Sequence, residues 1–227
     1  MAYPTVSAPY GLKPVNLIGG QVFAGATRQI KIASGYNTDI FYGDVVRVSS
    51  DGVLVKETGT STVTATGVVG VFLGCSYTGG TTNQFLQQQN WVAGTVSSNA
   101  VGYVADDPDQ LFQVAAVSSG TTIAFYGQTV IGNNAALVQN SGSSTSGDSA
   151  VALNGSTAAT TASLPLRIIA GVPATANSSG EFCEFIVKWN APYPVSTSST
   201  TFADPTYTTT TTTVMTGGHQ YLNPTGV

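Results

Sequence analysis

Apolar and polar residues alternate along most of the chain with a period of two, which is the pattern of strands that bury one face. In "RQIKIA", Ile30 and Ile32 alternate with polar neighbours. In "GDVVRVSSDGVLVKE", two alternating runs flank Asp51-Gly52, a pair that tolerates positive φ and therefore predicts a β-hairpin. The continuous apolar run "GVVGVFLGC" is typical of a strand buried on both faces.

Further short strands are predicted in "GTVSSNAVGYVA", "LFQVAAV", "TTIAFYGQTVI" and "EFCEFIVKW". In the last of these, Glu184 and Lys188 lie opposite an apolar face made of Cys183, Phe185, Val187 and Trp189. Helical periodicity is nearly absent, and "TNQFLQQQNW" fits a short helix or a strand equally well. The pattern predicts an all-β fold, an antiparallel β-barrel or sandwich of short strands with extended N- and C-terminal arms.

Three regions follow from this pattern. Residues 1–20 are predicted to form an extended N-terminal arm, because prolines punctuate them and proline disfavours helix. Residues 21–195 form the β-rich core, either one barrel or two lobes that divide near Ser118. Residues 196–227 form a Thr-rich linker and a C-terminal arm. The low-complexity stretches near residue 60, at 140–149 and at 196–213 lack apolar residues for a core, so exposed loops or linkers are predicted there.

Both arms carry large side chains that are unusual in disordered ends. We expect the arms to dock on neighbouring subunits, since an extended segment can add to a partner's sheet through main-chain hydrogen bonds. The predicted contact residues are Tyr3, Pro4, Tyr10, Leu12, Pro14, Tyr221 and Leu222. The many aromatic residues in the first 42 positions suit either core packing or such an interface, and both interpretations stay open.

Charge is scarce, at 8% of residues against about 25% in ordinary soluble domains. A surface with so few charges is typical of a protein that is covered by neighbouring subunits in an assembly. The net charge of −4 and the lack of any basic cluster argue against direct nucleic-acid binding and an electrostatic membrane anchor. No signal-peptide pattern and no apolar run long enough to cross a membrane occur, so synthesis in a cytoplasm is expected.

Few residues point to catalysis. His219 is the only histidine and lies in a Gly-rich tail, where a hydrogen-bonded or solvated role is expected rather than a catalytic one. Neither a G-x-x-x-x-G-K-[ST] nor a G-x-S-x-G motif occurs. Cys75 and Cys183 lie in apolar strand-like sequence and are predicted to be buried free thiols. The sequence predicts no catalytic residue, no cofactor and no metal.

The acidic cluster in "YVADDPDQLFQV" is the one alternative. Asp106, Asp107 and Asp109 could form a peripheral calcium site or glycosidase carboxylates. However, the flanks read as two strands, and Pro108 after an aspartate suits the second position of a turn. We interpret the cluster as a turn between strands.

Seven stretches in order resemble capsid decoration (cement) proteins of tailed bacteriophages, particularly those of marine bacteria and cyanobacteria. They are "APYGLKPVNLIGG" with the following "TRQIKIASGY", then "DGVL", "GVVGVFLGC", "YVADDPDQLFQV", "LPLRIIAGV", "VKWN" and "HQYLNPTGV". The long Thr-rich stretch before the tail departs from the pattern of that family.

The resemblance implies a non-enzymatic protein on the outer capsid surface of a virion, made in the host cytoplasm. Such proteins commonly form homotrimers and clamp major capsid protein subunits together. The alternatives are another virion surface protein, such as a head fibre or host-attachment module, or a depolymerase that uses the three aspartates. Fibres usually show long repeats, and none is evident here.

Overall fold

The computed structural model describes residues 8–80, 83–122, 124–175, 183–203 and 206–224, and the side chains of these except at 197–203 and 206–210. The chain is almost entirely β-structure, which confirms the predicted all-β class. In chain order the strands are β1 (Lys13–Leu17), β2 (Arg28–Lys31), β3 (Val45–Val48), β4 (Leu54–Lys56), β5 (Gly70–Thr78), β6 (Phe85–Gln88), β7 (Val101–Ala105), β8 (Gln110–Val117), β9 (Asn134–Val138), β10 (Ala152–Ala159), β11 (Leu166–Gly171), β12 (Glu184–Trp189), β13 (Tyr193–Ala203) and β14 (Thr206–Thr216). Two 3-10 turns span Gln128–Val130 and Gln220–Leu222.

Two six-stranded sheets make up the body of the molecule. The first closes on itself in the order β8, β10, β9, β11, β12 and back to β8, while β1 pairs with the beginning of β8. Its pairs are antiparallel except β8 with β10. The second sheet has the order β2-β7-β5-β3-β4, and β6 pairs with β5. A bridge between Ile32 and Leu54 brings the β2 end of this sheet close to β4, so it is also strongly curled.

The predicted hairpin at Asp51-Gly52 joins β3 to β4, and the backbone N–H of Ser49 donates to Val53 across it (2.9 Å). Gly52 has a φ of 73°, which explains the glycine. The apolar run forms β5, buried at seven of its nine positions. The stretch that fitted a helix or a strand forms strand β6.

The strand predicted in "TTIAFYGQTVI" is wrong for its described residues, which form irregular backbone and the 3-10 turn at Gln128–Val130. Two large apolar residues of this stretch are exposed, Phe125 by 51% and Ile131 by 39%. Without a partner strand to cover both faces, the β-propensity of these residues does not suffice to form a ladder.

The core lies inside the first sheet and extends between the two sheets, where β8, β11 and β12 meet residues of β3 and β5. A second cluster fills the curl of the second sheet around Phe72 and Trp91. Cys75 and Cys183 are both buried and free, as predicted, and burial raises the pKa of the Cys75 thiol to about 12. The chain passes from β7 of the second sheet to β8 of the first at 106–109, and Ser118 directly follows β8.

The two predicted arms are largely built into the molecule. Residues 13–17 form β1 in the first sheet, and the Thr-rich stretch, predicted to be a loop or linker, pairs with itself. We call β13 and β14 together the ribbon; it runs in unbroken register from Tyr193 opposite Thr216 to Ala203 opposite Thr206. The linker prediction is wrong because threonine is β-branched and favours strands even without apolar neighbours.

Candidate interface around the Asp106–Gln110 turn

The acidic cluster forms the connection between β7 and β8. The backbone N–H of Gln110 donates to the Asp107 carbonyl (3.1 Å), so Pro108 occupies the second position of a four-residue turn, as predicted. The Asp107 side chain also accepts from the backbone N–H of Asp109 (2.8 Å). This bond is typical of aspartate in turns and explains the residue at that position without any ligand.

The neighbouring carboxylates join the turn to distant parts of the chain. Arg28 at the start of β2 donates to Asp106, and the Tyr221 hydroxyl donates to the same carboxylate (2.8 Å). Lys188 of β12 pairs with Asp109 (2.6 Å). Asp106 therefore accepts from two donors, which gives this carboxylate a structural role in joining the turn, β2 and the tail. Among the described residues no group of three or more His, Cys, Asp or Glu could hold a metal ion.

The protonation states of Arg28 and Tyr221 are fixed near neutral pH. The hydrogen bond and the charge of Asp106 raise the pKa of Arg28. Burial, with the Asp106 hydrogen bond next, raises the pKa of Tyr221 to about 12, so its hydroxyl stays protonated and donates. The Arg28 guanidinium also lies over the Tyr221 ring, 5.5 Å from its centre. The turn, the start of β2 and the C-terminal tail therefore form one connected surface.

A cleft of about 670 Å³ opens beside this surface. Its walls come from three parts of the chain, the stretch after β1, the acidic turn and the tail. The lining residues are Leu17, Gln21, Val22, Phe23, Ala24, Ala26, Thr27, Arg28, Ala105, Asp106, Asp107, Pro108, Gln110 and Tyr221. Apolar and polar groups are mixed along these walls, which suits a peptide segment better than a small charged ligand.

Exposed apolar side chains surround the cleft. Val22 is 75% exposed and Ile18 50%, and the Ile18 backbone N–H donates to the Asp109 carbonyl (3.0 Å), which holds it beside the turn. Tyr221 and Leu222 of the tail are 48% and 53% exposed. Val22 and Tyr221 line the cleft, Ile18 is bonded to the turn, and Leu222 follows Tyr221 in the chain, so these exposed apolar side chains indicate a contact site. We refer to Ile18, Val22, Tyr221 and Leu222 as the apolar rim.

The backbone along the cleft is open. No backbone N–H or C=O of Val22–Ala26 is hydrogen-bonded to another backbone group in the described chain. Phe23 packs on the core and holds this segment in place, whereas its neighbours on either side are exposed. Such a segment presents unpaired donors and acceptors to a partner, the requirement for recognition by strand addition.

The residues predicted as contacts have different positions. Tyr3 and Pro4 lie outside the described residues. Tyr221 and Leu222 lie together in the apolar rim. Tyr10 is half-buried; its hydroxyl donates to Glu184, and burial with that bond raises its pKa. Pro14 is half-buried in β1, opposite Phe112.

Leu12 requires a correction, because it is fully buried in the chain's own core and cannot contact a partner in this conformation. Its backbone N–H donates to Gly43 (3.0 Å), which joins the beginning of β1 to the second sheet. In the first 42 residues, Phe23, Tyr36 and Phe41 pack on the cores, which favours the packing interpretation of that aromatic group.

The tail is held by a segment that we call the latch, Gly217–Asn223. Its backbone pairs with Val68, just before β5. The Val68 N–H donates to the Gly218 carbonyl (2.9 Å), and the Gln220 N–H donates to the Val68 carbonyl (2.7 Å). The Gln220 side chain accepts from the Val48 N–H (2.8 Å) and donates to the Val48 carbonyl (3.0 Å). A side-chain amide that satisfies both groups of one backbone residue fixes the latch on β3 and so positions Tyr221.

His219 lies inside the latch and is fully buried, contrary to a solvated tail residue. Its Nδ1 accepts from the Tyr221 backbone N–H (3.3 Å), and its Nε2 has no hydrogen-bond partner among the described residues. Burial lowers the pKa of His219 to about 4, so the imidazole is neutral at physiological pH. A neutral histidine without any solvent access supports packing, not acid–base catalysis.

Glycines let the latch approach the body. Gly67 and Gly218 both have positive φ, 87° and 67°. A Cβ on Gly67 would overlap the Gly218 carbonyl, and a Cβ on Gly218 would overlap the backbone of Pro192. The "TGGHQ" sequence therefore marks a site of close backbone contact. The sequence contains this signal, but its interpretation as part of a C-terminal arm overlooked it.

No family model, curated protein or solved structure matches this chain. In the part of the chain that the structure describes, no helix has the length and apolar character needed to cross a membrane.

Proposed function

We propose that this chain is a structural virion protein that decorates the outer surface of a tailed-phage capsid and stabilises the shell by bridging major capsid protein subunits. The observation that carries the proposal is the cleft beside the Asp106–Gln110 turn, where an apolar rim lies next to the open backbone of Val22–Ala26. The resemblance of the ordered motifs to decoration proteins supports the same role. It further suggests a homotrimer, without direct contact to nucleic acid or membrane.

The chemistry of the cleft fits adhesion. A partner segment that adds along Val22–Ala26 would gain main-chain hydrogen bonds, and the rim would bury apolar surface worth about 25 cal/mol per Å². Each such contact can be modest, since a shell presents many identical sites and their contributions sum. The carboxylate of Asp106 is committed to Arg28 and Tyr221, which favours a scaffold over a catalytic group and hence a non-enzymatic role.

The test is decoration of empty capsids by purified protein, measured by co-sedimentation and cryo-electron microscopy. Val22→Asp places a charge on the rim and should reduce occupancy by about tenfold or more, because an unpaired carboxylate resists burial. Val96→Asp is the matched control, since Val96 is 66% exposed but does not line the cleft. It should decorate normally.

Equal decoration by both variants would reject the cleft as the contact surface. Wild-type protein that leaves capsids bare would reject the decoration role itself. Density for the chain on the tail of the virion would instead favour the alternative role as a head fibre or host-attachment module.

A further inference from the structure

The ribbon is the longest regular element of the chain. Each strand has eleven residues, and the pairing from Tyr193–Thr216 to Ala203–Thr206 contains no shift of register. At about 3.4 Å per residue it is on the order of 35 Å long, comparable to the width of a small domain. Within the described residues its strands pair only with each other.

Close to its base, where the side chains are described, the ribbon buries little apolar surface. Val195 and Val214 are paired across the strands, yet 37% and 41% of their surface is exposed. Beside them the Ser196 and Thr213 hydroxyls lie 3.0 Å apart and share a hydrogen bond. An isolated two-stranded hairpin is at best marginally stable in water. A ribbon of this length therefore needs support beyond its own ladder.

Its base supplies part of that support. The Gly217 N–H donates to the Ala65 carbonyl (2.8 Å), and the Thr216 hydroxyl donates to the same oxygen (3.2 Å). The base is thus fixed to the body by the latch that follows β14. These contacts hold the base of the ribbon. Beyond the base, β13 pairs only with β14 among the described residues, so its other edge has no strand beside it.

The edges lack the devices that normally prevent strand pairing. Exposed edge strands usually carry lysines, inward charges, bulges or several prolines, which make addition of another strand unfavourable. Neither β13 nor β14 contains a charged residue, and the one proline, Pro194, is next to the base. Threonine, serine and valine dominate both strands, and the β-branched residues among them favour a ladder.

The unprotected edges and the charge of the chain together favour a second copy as the partner, because edge protection normally prevents pairing between copies. The whole chain has a net charge of −4, so most approaches between two copies bring like charges together. The uncharged ribbon strands form a surface on which copies can meet without that repulsion. We propose that the ribbon of one copy pairs edge to edge with the ribbon of a second copy of this chain, forming a continuous intermolecular sheet.

This inference concerns a different surface from the cleft and does not depend on the capsid role. It predicts self-association of the purified protein in the absence of any capsid. Pairing between copies through β13 would give hydrogen-bond partners to the backbone groups on the edge of β13 that faces away from β14. It would also bring serine and threonine residues of the two copies next to each other across the new strand pair. Hydroxyl pairs across strands stabilise sheets modestly, in the way that Ser196 and Thr213 already do within one copy.

The test is sedimentation of the full chain over a range of concentrations. Wild-type protein should associate, and Ser198→Lys with Thr210→Lys should raise the dissociation constant by about tenfold or more, since edge lysines oppose pairing. The control is Ser198→Val with Thr210→Val, which changes the same two positions without charge and should associate as the wild type does. Amide exchange of the ribbon in the wild type should slow as concentration rises.

Monomeric wild-type protein at every concentration overturns the proposal. So does equal association of the lysine and valine variants. If the lysine variant fails to fold, the amide-exchange measurement on the wild type decides alone, because protection of the ribbon that is independent of concentration contradicts pairing between copies.

Discussion

The ribbon and the latch follow one another in the chain, and neither contains a Lys, Arg, Asp or Glu, yet they are stabilised differently. The ribbon extends as a regular ladder, and its side chains are exposed at 194–196 and 211–214. The latch has almost no regular structure, but His219 and Gln220 are buried in it and bonded to the second sheet. In this chain, therefore, the ribbon is regular in backbone pairing, whereas the latch is irregular but contributes buried side chains.

The comparison has a physical basis. Backbone hydrogen bonds exposed to water contribute little net stability, because water competes for the same groups. Burial of the His219 and Gln220 side chains in the latch excludes water and makes the loss of each contact costly. Substitutions in the latch should therefore affect folding strongly, and those in the ribbon weakly.

The largest effect is expected at Gly218. Gly218→Ala combines a left-handed φ with overlap of the Pro192 backbone and should lower the free energy of unfolding by about 3 kcal/mol. Gly20→Ala is the matched control, because Gly20 has a φ of +82° but open space around its Cα. It should cost about 1 kcal/mol, from backbone strain alone. Urea unfolding measures both, and equal losses would show that the latch is not tightly docked.

A pH-dependent effect is expected next, at His219. Its pKa is about 4 in the folded chain and about 6.5 when unfolded, so between these values the unfolded state binds the proton. The stability due to the neutral imidazole is complete above pH 6.5 and is lost as the pH falls to about 4. The loss amounts to at most about 3 kcal/mol.

His219→Gln removes this titration, so as the pH falls from about 6.5 to about 4 the free energy of unfolding should decrease more for the wild type than for the variant, and urea unfolding of both proteins measures the difference. The charged groups near the imidazole are Asp106, Asp107 and Lys188, and all three are present in both proteins, so the difference between the proteins isolates the contribution of His219. A difference in unfolding free energy that stays constant from pH 7 to pH 4 would contradict the lowered pKa of His219.

Most of the strand pattern could be predicted from the sequence, because it depends on local alternation. The hairpin at Asp51-Gly52 and the turn at Asp107–Gln110 each have a signal within four residues. The position of the latch could not be predicted in the same way. It depends on contacts between residues that are more than 140 positions apart, such as Gln220 with Val48, and no local pattern encodes such a pair.

The candidate interface was predicted in part. Large side chains in a Gly-rich tail indicated that Tyr221 and Leu222 contact something, and both are exposed in the apolar rim. The contribution of Val22 was missed, because an exposed valine has the same sequence signature as a buried one. Leu12 shows the reverse error, since an apolar residue among prolines resembled an arm and is part of the core.

The smallest effect on folding is expected from shortening the ribbon. Replacing residues 197–212 with a two-residue Asn-Gly turn keeps the base pairs Val195–Val214 and Ser196–Thr213 and removes the ladder beyond them. The free energy of unfolding of the monomer should change by less than about 0.5 kcal/mol, the range of surface changes. Urea unfolding at low protein concentration tests this, and a full-length variant with Ser144→Asn at an exposed loop is the control. A loss of 2 kcal/mol or more would mean that the ribbon packs on its own body, and the contrast with the latch would then fail.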